Sequence, residues 1–430
     1  MSELFAKNMQ VINKRWPAIA AVISKQSFAH LETNLVSATE QTIRVNGIQL
    51  SSCYDRVGEA KLLIEHYQLS SQKKVAVYGL GMGDVPTVLL LTDVEQIDVH
   101  PLNYALFAML ITYTDQSQWL MDKRVSLIFA DNSIGLKRPR IAITPDLELV
   151  DDAHAAIRDV LVSDNVRAYN NQYHDKKLPE TLQRFNDNAT FIEQMDDAAL
   201  LLKTHKAKKV FVIGAGPTLE DSYDFLKKQQ ALKHNKPLLI AVDTAYMALA
   251  HNGVIPDIVV SMDALISMGH FPEHIDKKTI LVSLPTVTTD LLANWPGPQY
   301  MAYSQLPLFD DLCQQHNKMR LYTNGSVIHP AVDLAVKLGA KKITLFGADF
   351  CYPDNKTHAH WEDGALGPSA KTEKKHWVIN GFGERVGTDL NFRGYLRSLE
   401  YYIHQTPNVR YFQASLKGAK ISGSQFKECI

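Results

Sequence analysis

The chain has 430 residues and a formal net charge of -1, with 46% hydrophobic and 21% charged residues. This length favours two or three domains, and the near-neutral charge argues against a broad nucleic-acid-binding surface. The four cysteines are far apart without CxxC spacing, which indicates reduced thiols of a cytoplasmic protein and excludes a disulfide framework.

Residues 1–72 mix helical and strand-like patterns, and we interpret them as an N-terminal α/β cap region. They begin without a basic stretch followed by an apolar run, so no signal peptide is expected. Residues 5–23 and 54–67 carry apolar residues at helical spacing. Between them, residues 42–45 lead into Asn46-Gly47, a pair that predicts a β-hairpin.

Residues 73–150 predict a first Rossmann-like domain, with strands in KKVAVYGLG, VEQIDVH, RVSLIFAD and RIAIT. Its first strand runs into the glycine turn at residues 79–84, as in S-adenosylmethionine methyltransferases. The next strand of those enzymes usually ends in an acidic residue that holds the ribose, whereas here it ends in His100, after Asp98. Asp131, after the third strand, would suit an adenine contact. We expect a structural or acceptor-recognition role and no catalytic use of S-adenosylmethionine.

Residues 151–205 are polar, with helix-like stretches such as 190–202, and indicate a helical connector. Residues 206–430 form the clearest domain. Its predicted strands lie in KKVFVIGAG, PLLIAVDTA, DIVVSMDA, TILVSLP, QYMAYS and KKITLFGADF. Helical patterns separate several of them, which implies a mostly parallel sheet with helices on both faces. The predicted fold class is α/β, with two Rossmann-like doubly wound domains. No apolar run reaches the roughly 18–20 residues of a membrane span.

The carboxyl ends of these strands predict the ligand site, because open parallel sheets bind ligands there. Gly214-Ala215-Gly216 would let the backbone approach a phosphate, and Pro217 suits a first helical turn. Thr218 with Asp221 resembles a capping box, and the free N–H groups of that turn would form an anion site. The same run also serves simple tight turns, and it is neither a full GxGxxG nor a Walker loop.

Several motifs of the second domain resemble Maf (motility-associated factor) flagellin glycosyltransferases. They are GAGPTLED, the VDTA…NGVIPDIVVSMDA run and NGSVIHPAVDLAVKLGAKKITLFGADF. The Maf central domain is similar to bacterial sialyltransferases, and its core also resembles MptE-like hydroxymethylpterin pyrophosphokinases. Further similarity lies in FAKNMQVINKRWP, SSCYDRVGEAKLL, VYGLGMGD, GADFCYPDNKTHAH and GAKISG. The resemblance therefore covers most of residues 1–425.

The resemblance implies transfer of a nonulosonic acid, of the pseudaminic or legionaminic type, from a CMP-sugar to Ser or Thr of flagellin. Such a cytoplasmic enzyme would serve flagellum assembly and motility, with no cofactor besides the CMP-sugar co-substrate. It would have flagellin as partner and no nucleic acid. The resemblance assigns three groups of residues: Gly214, Gly216, Pro217 and Thr218 to the phosphate, Asn324, Gly325 and Ser326 to the nucleotide or sugar, and Asp243 and Asp263 to the pocket lining.

The general base is the least defined part of this prediction. Sialyltransferases place a catalytic histidine a few residues before a Thr-Asp pair, and the similar segment NGFGERVGTDL offers Glu384 and no histidine. Our candidates are Asp349, His358 and Glu384, with His376 behind them. His358-Ala359-His360 with Asp349 could also coordinate a cation. Because an HxH loop without a third ligand at a recognisable spacing is more often not a metal site, we predict none.

Two alternatives stay open. The first is an ATP-dependent pterin pyrophosphokinase-like enzyme, in which Asp243, Asp263 and Asp349 would hold magnesium near the phosphates. The second is a non-catalytic flagellin-binding factor, for which the absent histidine is the argument.

Overall fold

The structure, a computed structural model, describes residues 2–130, 134–361, 369 and 376–429, and only the backbone of residues 166–175. The predicted adenine contact of Asp131 lies outside these residues. The chain divides into two compact units, Met1–Val166 and Arg167–Ile430. The division falls within the segment predicted as a connector. None of the helices in the described part of the chain combines the length and apolar character needed to cross a membrane.

The first unit contains a small antiparallel sheet and a parallel sheet with helices. Its helices are α1 (Glu3–Arg15), α2 (Pro17–Ile23), α3 (Arg56–His66), α4 (Asp84–Leu89), α5 (Tyr104–Tyr113), α6 (Ser117–Met121) and α7 (Thr144–Glu148), followed by α8 (Ala155–Asp187), in which the division falls. Its strands are β1 (Thr33–Ser37), β2 (Gln41–Val45), β3 (Ile48–Gln49), β4 (Lys74–Tyr78), β5 (Gln96–His100), β6 (Val125–Leu127) and β7 (Arg140–Ala142).

The parallel sheet of this unit has the order β6-β5-β4-β7. β5 and β6 therefore lie on one side of β4, and β7 lies on the other side. All four of its strands were predicted. The predicted hairpin is also confirmed, since β2 pairs with β3 around Asn46 and Gly47, both with positive φ. The single helical pattern at residues 5–23 is instead two helices, because Pro17 lacks the N–H that would continue α1 and starts α2.

The second unit is built on a nine-stranded parallel sheet. Its helices are α9 (Ala189–Gln194), α10 (Leu201–Thr204), α11 (Tyr223–Gln230), α12 (Tyr246–His251), α13 (Thr289–Asn294), α14 (Asp310–Gln315), α15 (Ile328–Lys337) and α16 (Leu390–Gln405). Its strands are β8 (Asp196–Asp197), β9 (Lys209–Ile213), β10 (Leu238–Val242), β11 (Ile258–Ser261), β12 (Ile280–Ser283), β13 (Gln299–Met301), β14 (Tyr303–Ser304), β15 (Arg320–Leu321), β16 (Lys342–Phe346), β17 (His376–Ile379), β18 (Arg385–Thr388), β19 (Arg410–Gln413) and β20 (Ser424–Phe426).

The order of the large sheet is β20-β19-β16-β9-β10-β11-β12-β13-β8. Its central strands are mostly apolar and buried after their first residue, because helices cover both faces of a parallel sheet. In β9 the residues from Val210 to Ile213 are fully buried. Phe211 packs against Phe225 of α11 and Phe346 of β16, which gives the sheet centre an aromatic core. The predicted α/β class with parallel sheets is confirmed.

The differences from the predicted elements are local. The QYMAYS segment forms two strands, and β14 pairs with β15 in a separate small sheet. The predicted helix after β9 begins as the 3-10 helix Pro217–Ser222 before α11. The capping box proposed for Thr218 and Asp221 is wrong, because the N-cap residue of that 3-10 helix is Gly216 and the Asp221 carboxylate pairs with Lys417.

Candidate functional site

A cleft opens at the carboxyl ends of β9 and β16, where the chain order of the large sheet reverses. The loops after these two strands lead to opposite sides of the sheet, which leaves a crevice between them. The cleft has an empty volume of about 620 Å³, part of it open to solvent. Its lining includes the turn from Gly214 to Gly216, the loop after β16 with Asp349 and His358, Ser326 before α15, and α16.

The glycine turn is held against the loop after β16 by direct backbone contact. The N–H of Gly214 donates to the carbonyl of Phe346, and the N–H of Gly216 donates to that of Gly347, each at 2.8 Å. A Cβ atom at Gly214 would lie 2.5 Å from the carbonyl oxygen of Gly347, and one at Gly347 would overlap the carbonyl of Gly214. Close packing of two loops is therefore reason enough for glycine at both positions.

Asp349, in the loop after β16, binds the residue that follows the glycine turn and Pro217. Its buried carboxylate accepts hydrogen bonds from the backbone N–H of Thr218 at 2.9 Å and from the Thr218 hydroxyl at 2.5 Å. Burial raises the pKa of Asp349 to about 6, although the Thr218 hydrogen bonds act in the opposite direction. A Cβ atom at Gly216 would overlap this carboxylate, and one at Gly418 would lie 2.6 Å from it. Asp349 thus caps the first turn of the 3-10 helix.

Because of these contacts, few N–H groups of the glycine turn remain available to bind a phosphate. The N–H groups of Gly214, Gly216 and Thr218 all donate within the protein, and Pro217 has none. Of the turn's amides, the N–H of Ala215 has no acceptor among the described residues. Phosphate binding by the turn stays a prediction, and in this conformation it depends on Ala215 and on side chains across the cleft.

The second small-residue turn provides one of those side chains. Ser326 lines the cleft directly before α15. Asn324 donates its side-chain amide to the Ser398 hydroxyl at 2.5 Å. Gly325 has a φ of +87°, and a Cβ atom there would overlap the Tyr395 ring. Asn324 and Gly325 therefore pack the turn against α16, which leaves Ser326 as its cleft-lining member.

The two aspartates predicted to line the pocket differ in their surroundings. Asp243 is buried beneath the cleft, where it accepts hydrogen bonds from the Ser261 hydroxyl and the Thr244 N–H, each at 2.7 Å. Burial raises its pKa to about 6. Asp263 is exposed and accepts a hydrogen bond from the Leu265 N–H. Neither carboxylate is among the side chains that line the cleft, although burial and the charge of Asp263 raise the pKa of the cleft-lining Tyr395, and their role in the pocket stays a prediction.

The three candidate bases differ in their exposure and in their position relative to the cleft. His358 lines the cleft with its side chain open to solvent, and the surrounding protein lowers its pKa below the ordinary 6.5. Asp349 also lines the cleft, but its carboxylate is engaged by Thr218. Glu384 is exposed in the turn between β17 and β18, next to Asn380, and is not part of the lining. His358 is therefore the candidate whose side chain is accessible and neutral at neutral pH.

Two features of the cleft were not identified from the sequence: the wall that α16 forms, and the contacts that anchor the loop after β16. Phe392 and Tyr395 of α16 line the cleft, and the amphipathic pattern of α16 was the available signal. Glu220 of the 3-10 helix anchors the loop that carries His358. It accepts hydrogen bonds from the Lys356 ammonium at 2.8 Å and from the His360 N–H at 2.7 Å.

No group of three or more His, Cys, Asp or Glu side chains in the described residues is placed to hold a metal ion.

The glycine turn of the first unit is closed in the same way. Asp146, at the start of α7, accepts hydrogen bonds from the N–H groups of Leu80 and Gly81, each at 2.8 Å. Its side chain is buried, and burial raises its pKa to about 6. His100 is buried and stacks on Tyr78 at a ring distance of 4.5 Å. An internal carboxylate thus occupies the amides that a nucleotide phosphate would need.

Comparison with known proteins supports the likeness of the central region. Residues 183–355 match the family model of 6-hydroxymethylpterin diphosphokinase MptE-like proteins, which confirms that part of the sequence resemblance. No functionally curated protein matches the chain. Among solved structures, a Maf glycosyltransferase from Magnetospirillum magneticum AMB-1 is similar over 99% of this chain and 74% of its own, with 13% identity and a TM-score of 0.40. A score of this size does not by itself establish a common fold.

Proposed function

We propose that the protein is a glycosyltransferase that transfers a nonulosonic acid, of the pseudaminic or legionaminic type, from a CMP-sugar to Ser or Thr hydroxyls of flagellin. The observation that carries this proposal is the cleft, in which the turn at Gly214–Gly216, Ser326 and His358 line one cavity at the switch point of the sheet. The motifs that form these walls are the ones that resemble the Maf family.

The cleft suits a ligand with one phosphate. The Ala215 amide and the Ser326 hydroxyl are the hydrogen-bond donors that we assign to the phosphate of CMP. Tyr395 and Phe392 supply an apolar wall for the base or sugar ring. The proposal thus uses a single phosphate-binding turn and needs no second one for a di- or triphosphate.

In the proposed reaction, His358 acts as the general base. Its neutral imidazole accepts the proton of the acceptor hydroxyl while the hydroxyl oxygen forms a bond to the anomeric carbon. The bond between that carbon and the phosphate oxygen breaks, and CMP leaves with the electron pair. The lowered pKa of His358 favours the neutral imidazole at neutral pH, the form that accepts a proton. Asp349 is a positioning residue, because it holds the glycine turn through Thr218.

The test is sugar transfer by the full-length chain. We expect intact flagellin, incubated with CMP-pseudaminic or CMP-legionaminic acid, to gain the mass of the sugar. His358→Ala should lower the rate by about 10²–10⁴-fold, the usual contribution of a general base, with little change in CMP affinity. His234→Ala, which removes an exposed loop histidine, is the matched control and should transfer at the wild-type rate. Full activity of His358→Ala together with loss in Glu384→Gln would place the base in the β17–β18 turn instead.

The family-model match favours one second candidate, an ATP-dependent diphosphokinase acting on a hydroxymethylpterin. That reaction would need carboxylates free to hold magnesium beside the phosphates. Asp349 and Asp243 are instead buried and hydrogen-bonded to protein donors, and burial raises the pKa of both to about 6. We therefore rank it second. Formation of AMP from ATP and the pterin, without transfer from either CMP-sugar, would reverse the ranking.

A further inference from the structure

A strongly basic basin lies at the amino ends of the strands of the large sheet, the opposite edge from the candidate cleft. It has an empty volume of about 1260 Å³, part of it open to solvent. We define the basic basin by the charged residues that line it: the lysines Lys206, Lys208, Lys209, Lys236, Lys341 and Lys342, and the carboxylate of Asp257. These residues give a formal excess of five positive charges, in a chain whose overall net charge is -1.

The fold holds these lysines close together. Lys209 at the start of β9 is the register partner of Lys342 at the start of β16, and Arg410 at the start of β19 continues the row. Neighbouring strands are about 4.8 Å apart. The N–H groups of Lys341 and Lys342 both donate to the carbonyl of Lys208, at 2.9 and 3.0 Å. The backbone therefore fixes the spacing of the row. The Lys209 ammonium donates to the Gln229 side chain at 2.8 Å, whereas those of Lys208 and Lys341 have no hydrogen-bond acceptor among the described residues.

Most of this charge has no counter-charge in the protein. Lys236 forms an ion pair with Asp257 at 3.2 Å. Lys208 and Lys341 are exposed and form no ion pair among the described residues, and the same holds for Lys206 and Lys342. Burial and the charges of neighbouring lysines lower the pKa of Lys209. Like charges at this density repel one another, and an anionic partner would relieve that repulsion.

We propose that the basic basin docks an acidic segment of a partner polypeptide, through several Asp or Glu carboxylates. Lysine ammonium groups on flexible stems pair with carboxylates without a fixed geometry. No Phe, Tyr or Trp lines the basin, so nothing there stacks a nucleic-acid base. The concave shape, with Pro237 buried and Leu238 half-buried, presents no large exposed apolar side chain for insertion into a lipid surface.

The experiment uses the full-length protein and a fluorescein-labelled octaglutamate peptide, followed by fluorescence anisotropy. We expect binding at about 50 mM NaCl that weakens at least tenfold at about 300 mM NaCl, because surface charges are screened. The double variant Lys208→Glu/Lys341→Glu should weaken binding at least tenfold at the lower salt. Lys61→Glu/Lys123→Glu changes two exposed lysines of the first unit, carries the same net charge, and should bind as the wild type does.

Three results would overturn the proposal. One is the absence of peptide binding to the wild type at the lower salt. Another is an equal loss in the two double variants, which would mean that net charge alone attracts the peptide. The third is equal or tighter binding, through the same lysines, of an oligothymidylate or of vesicles that contain phosphatidylserine. Because the basin and the cleft lie at opposite edges of the sheet, failure here leaves the CMP-sugar proposal untouched, and the reverse also holds.

Discussion

At the scale of single residues, Asp146 and Asp349 do the same structural work in the two units. Each carboxylate accepts two hydrogen bonds from a turn that follows a glycine-rich strand end, and each comes from the chain beyond the strand on the other side of the switch point. Such turns can bind phosphate through the same N–H groups. In this protein a buried carboxylate takes that place, and its pKa is raised to about 6 in both units.

The raised pKa of Asp349 predicts a specific pH dependence of stability. The group has a pKa of about 6 in the folded protein, against an ordinary value of 3.8, so the folded state holds the proton more tightly than the unfolded chain. Its contribution to the free energy of unfolding is therefore full below about pH 4 and lost as the pH rises through about 6. The loss is at most about 3 kcal/mol.

Urea unfolding of the second unit at about pH 4.5 and about pH 7 measures this contribution. Asp349→Asn cannot titrate, so its free energy of unfolding should fall less between the two pH values than that of the wild type. Asp311→Asn, which replaces an exposed carboxylate in α14, is the control and should fall as much as the wild type. If the free energy of unfolding of Asp349→Asn falls as much as that of the wild type between the two pH values, this carboxyl group is not the one that titrates.

The contact between Gly216 and Asp349 predicts a steric cost. A Cβ atom at Gly216 would overlap the Asp349 carboxylate and lie 2.7 Å from the carbonyl oxygen of Gly347. We expect Gly216→Ala to lower the free energy of unfolding by about 1–3 kcal/mol, the usual cost of overpacking. Gly394→Ala is the matched control: in α16 its Cβ atom would meet nothing within 4 Å, and alanine should stabilise the helix by about 0.5–1 kcal/mol. Equal stability of both variants would contradict the close contact.

At the scale of elements, the loop after β16 brings the cleft together. Asp349 at its start binds Thr218, and Ala359 further along donates its N–H to the Ala215 carbonyl at 2.9 Å. Glu220 anchors the loop on both sides of His358, through Lys356 and His360. Four pairs of residues thus join this loop to the turn and 3-10 helix after β9, and they hold the backbone on both sides of His358.

Removing the Glu220 anchor should therefore reduce turnover more than binding. We expect Glu220→Ala to lower kcat for sugar transfer by about 10–100-fold, because small misplacement of a reacting group is costly, with KM for the donor changed less than about twofold. Limited proteolysis should also cut the loop faster, a measurement that does not depend on the activity. Asp221→Ala breaks the neighbouring exposed pair with Lys417, worth about 0–1 kcal/mol, and should leave both readouts unchanged. A parallel rise in KM would show that the anchor serves donor binding.

At the scale of the whole molecule, the sequence predicts the sheets better than it predicts the site. Strands such as β9 and β16 are mostly apolar segments followed by glycine, a pattern typical of buried parallel strands. Gly253 and Gly339, which follow α12 and α15, both have positive φ, as glycines that end helices commonly do. The two-residue β8 and the separate β14–β15 pair could not be predicted, because these segments are too short to carry a period and their pairing depends on distant chain.

The site is harder to predict because its decisive contacts join residues far apart in the chain. The sequence placed Gly214–Gly216, Ser326, Asp349 and His358 at strand ends, and these residues do share one cleft. That Asp349 would cap the 3-10 helix depends on its contact with Thr218, 131 positions away. The same limit applies to Glu384: its motif resembles a catalytic segment, but its side chain in the β17–β18 turn is not among those that line the cleft.

The two units should respond differently to ligands, because the second unit has an open cleft beside its glycine turn, whereas Asp146 closes the glycine turn of the first unit. CMP should stabilise the second unit, by about 2.7 kcal/mol at a concentration of 100 times Kd. For a unit of this size that is a rise in Tm of roughly 5–10 °C, at about 2–4 °C for each kcal/mol. S-adenosylmethionine should leave Tm unchanged, because Asp146 occupies the amides of Leu80 and Gly81. Differential scanning calorimetry of the full-length chain resolves which unit responds.

Ser326→Ala makes this last prediction specific to the cleft. The hydroxyl lines the cavity and accepts a long hydrogen bond, at 3.4 Å, from the Ile328 N–H, so its removal should reduce the CMP-dependent rise in Tm while the ligand-free Tm stays within about 1 °C of the wild type. Thr204→Ala, at the end of α10 and exposed, removes a hydroxyl that is not part of the cleft lining and should keep the full CMP response. A rise in Tm with S-adenosylmethionine would mean that the Asp146 carboxylate leaves the glycine turn when a ligand competes for it, and that the first unit binds a nucleotide after all.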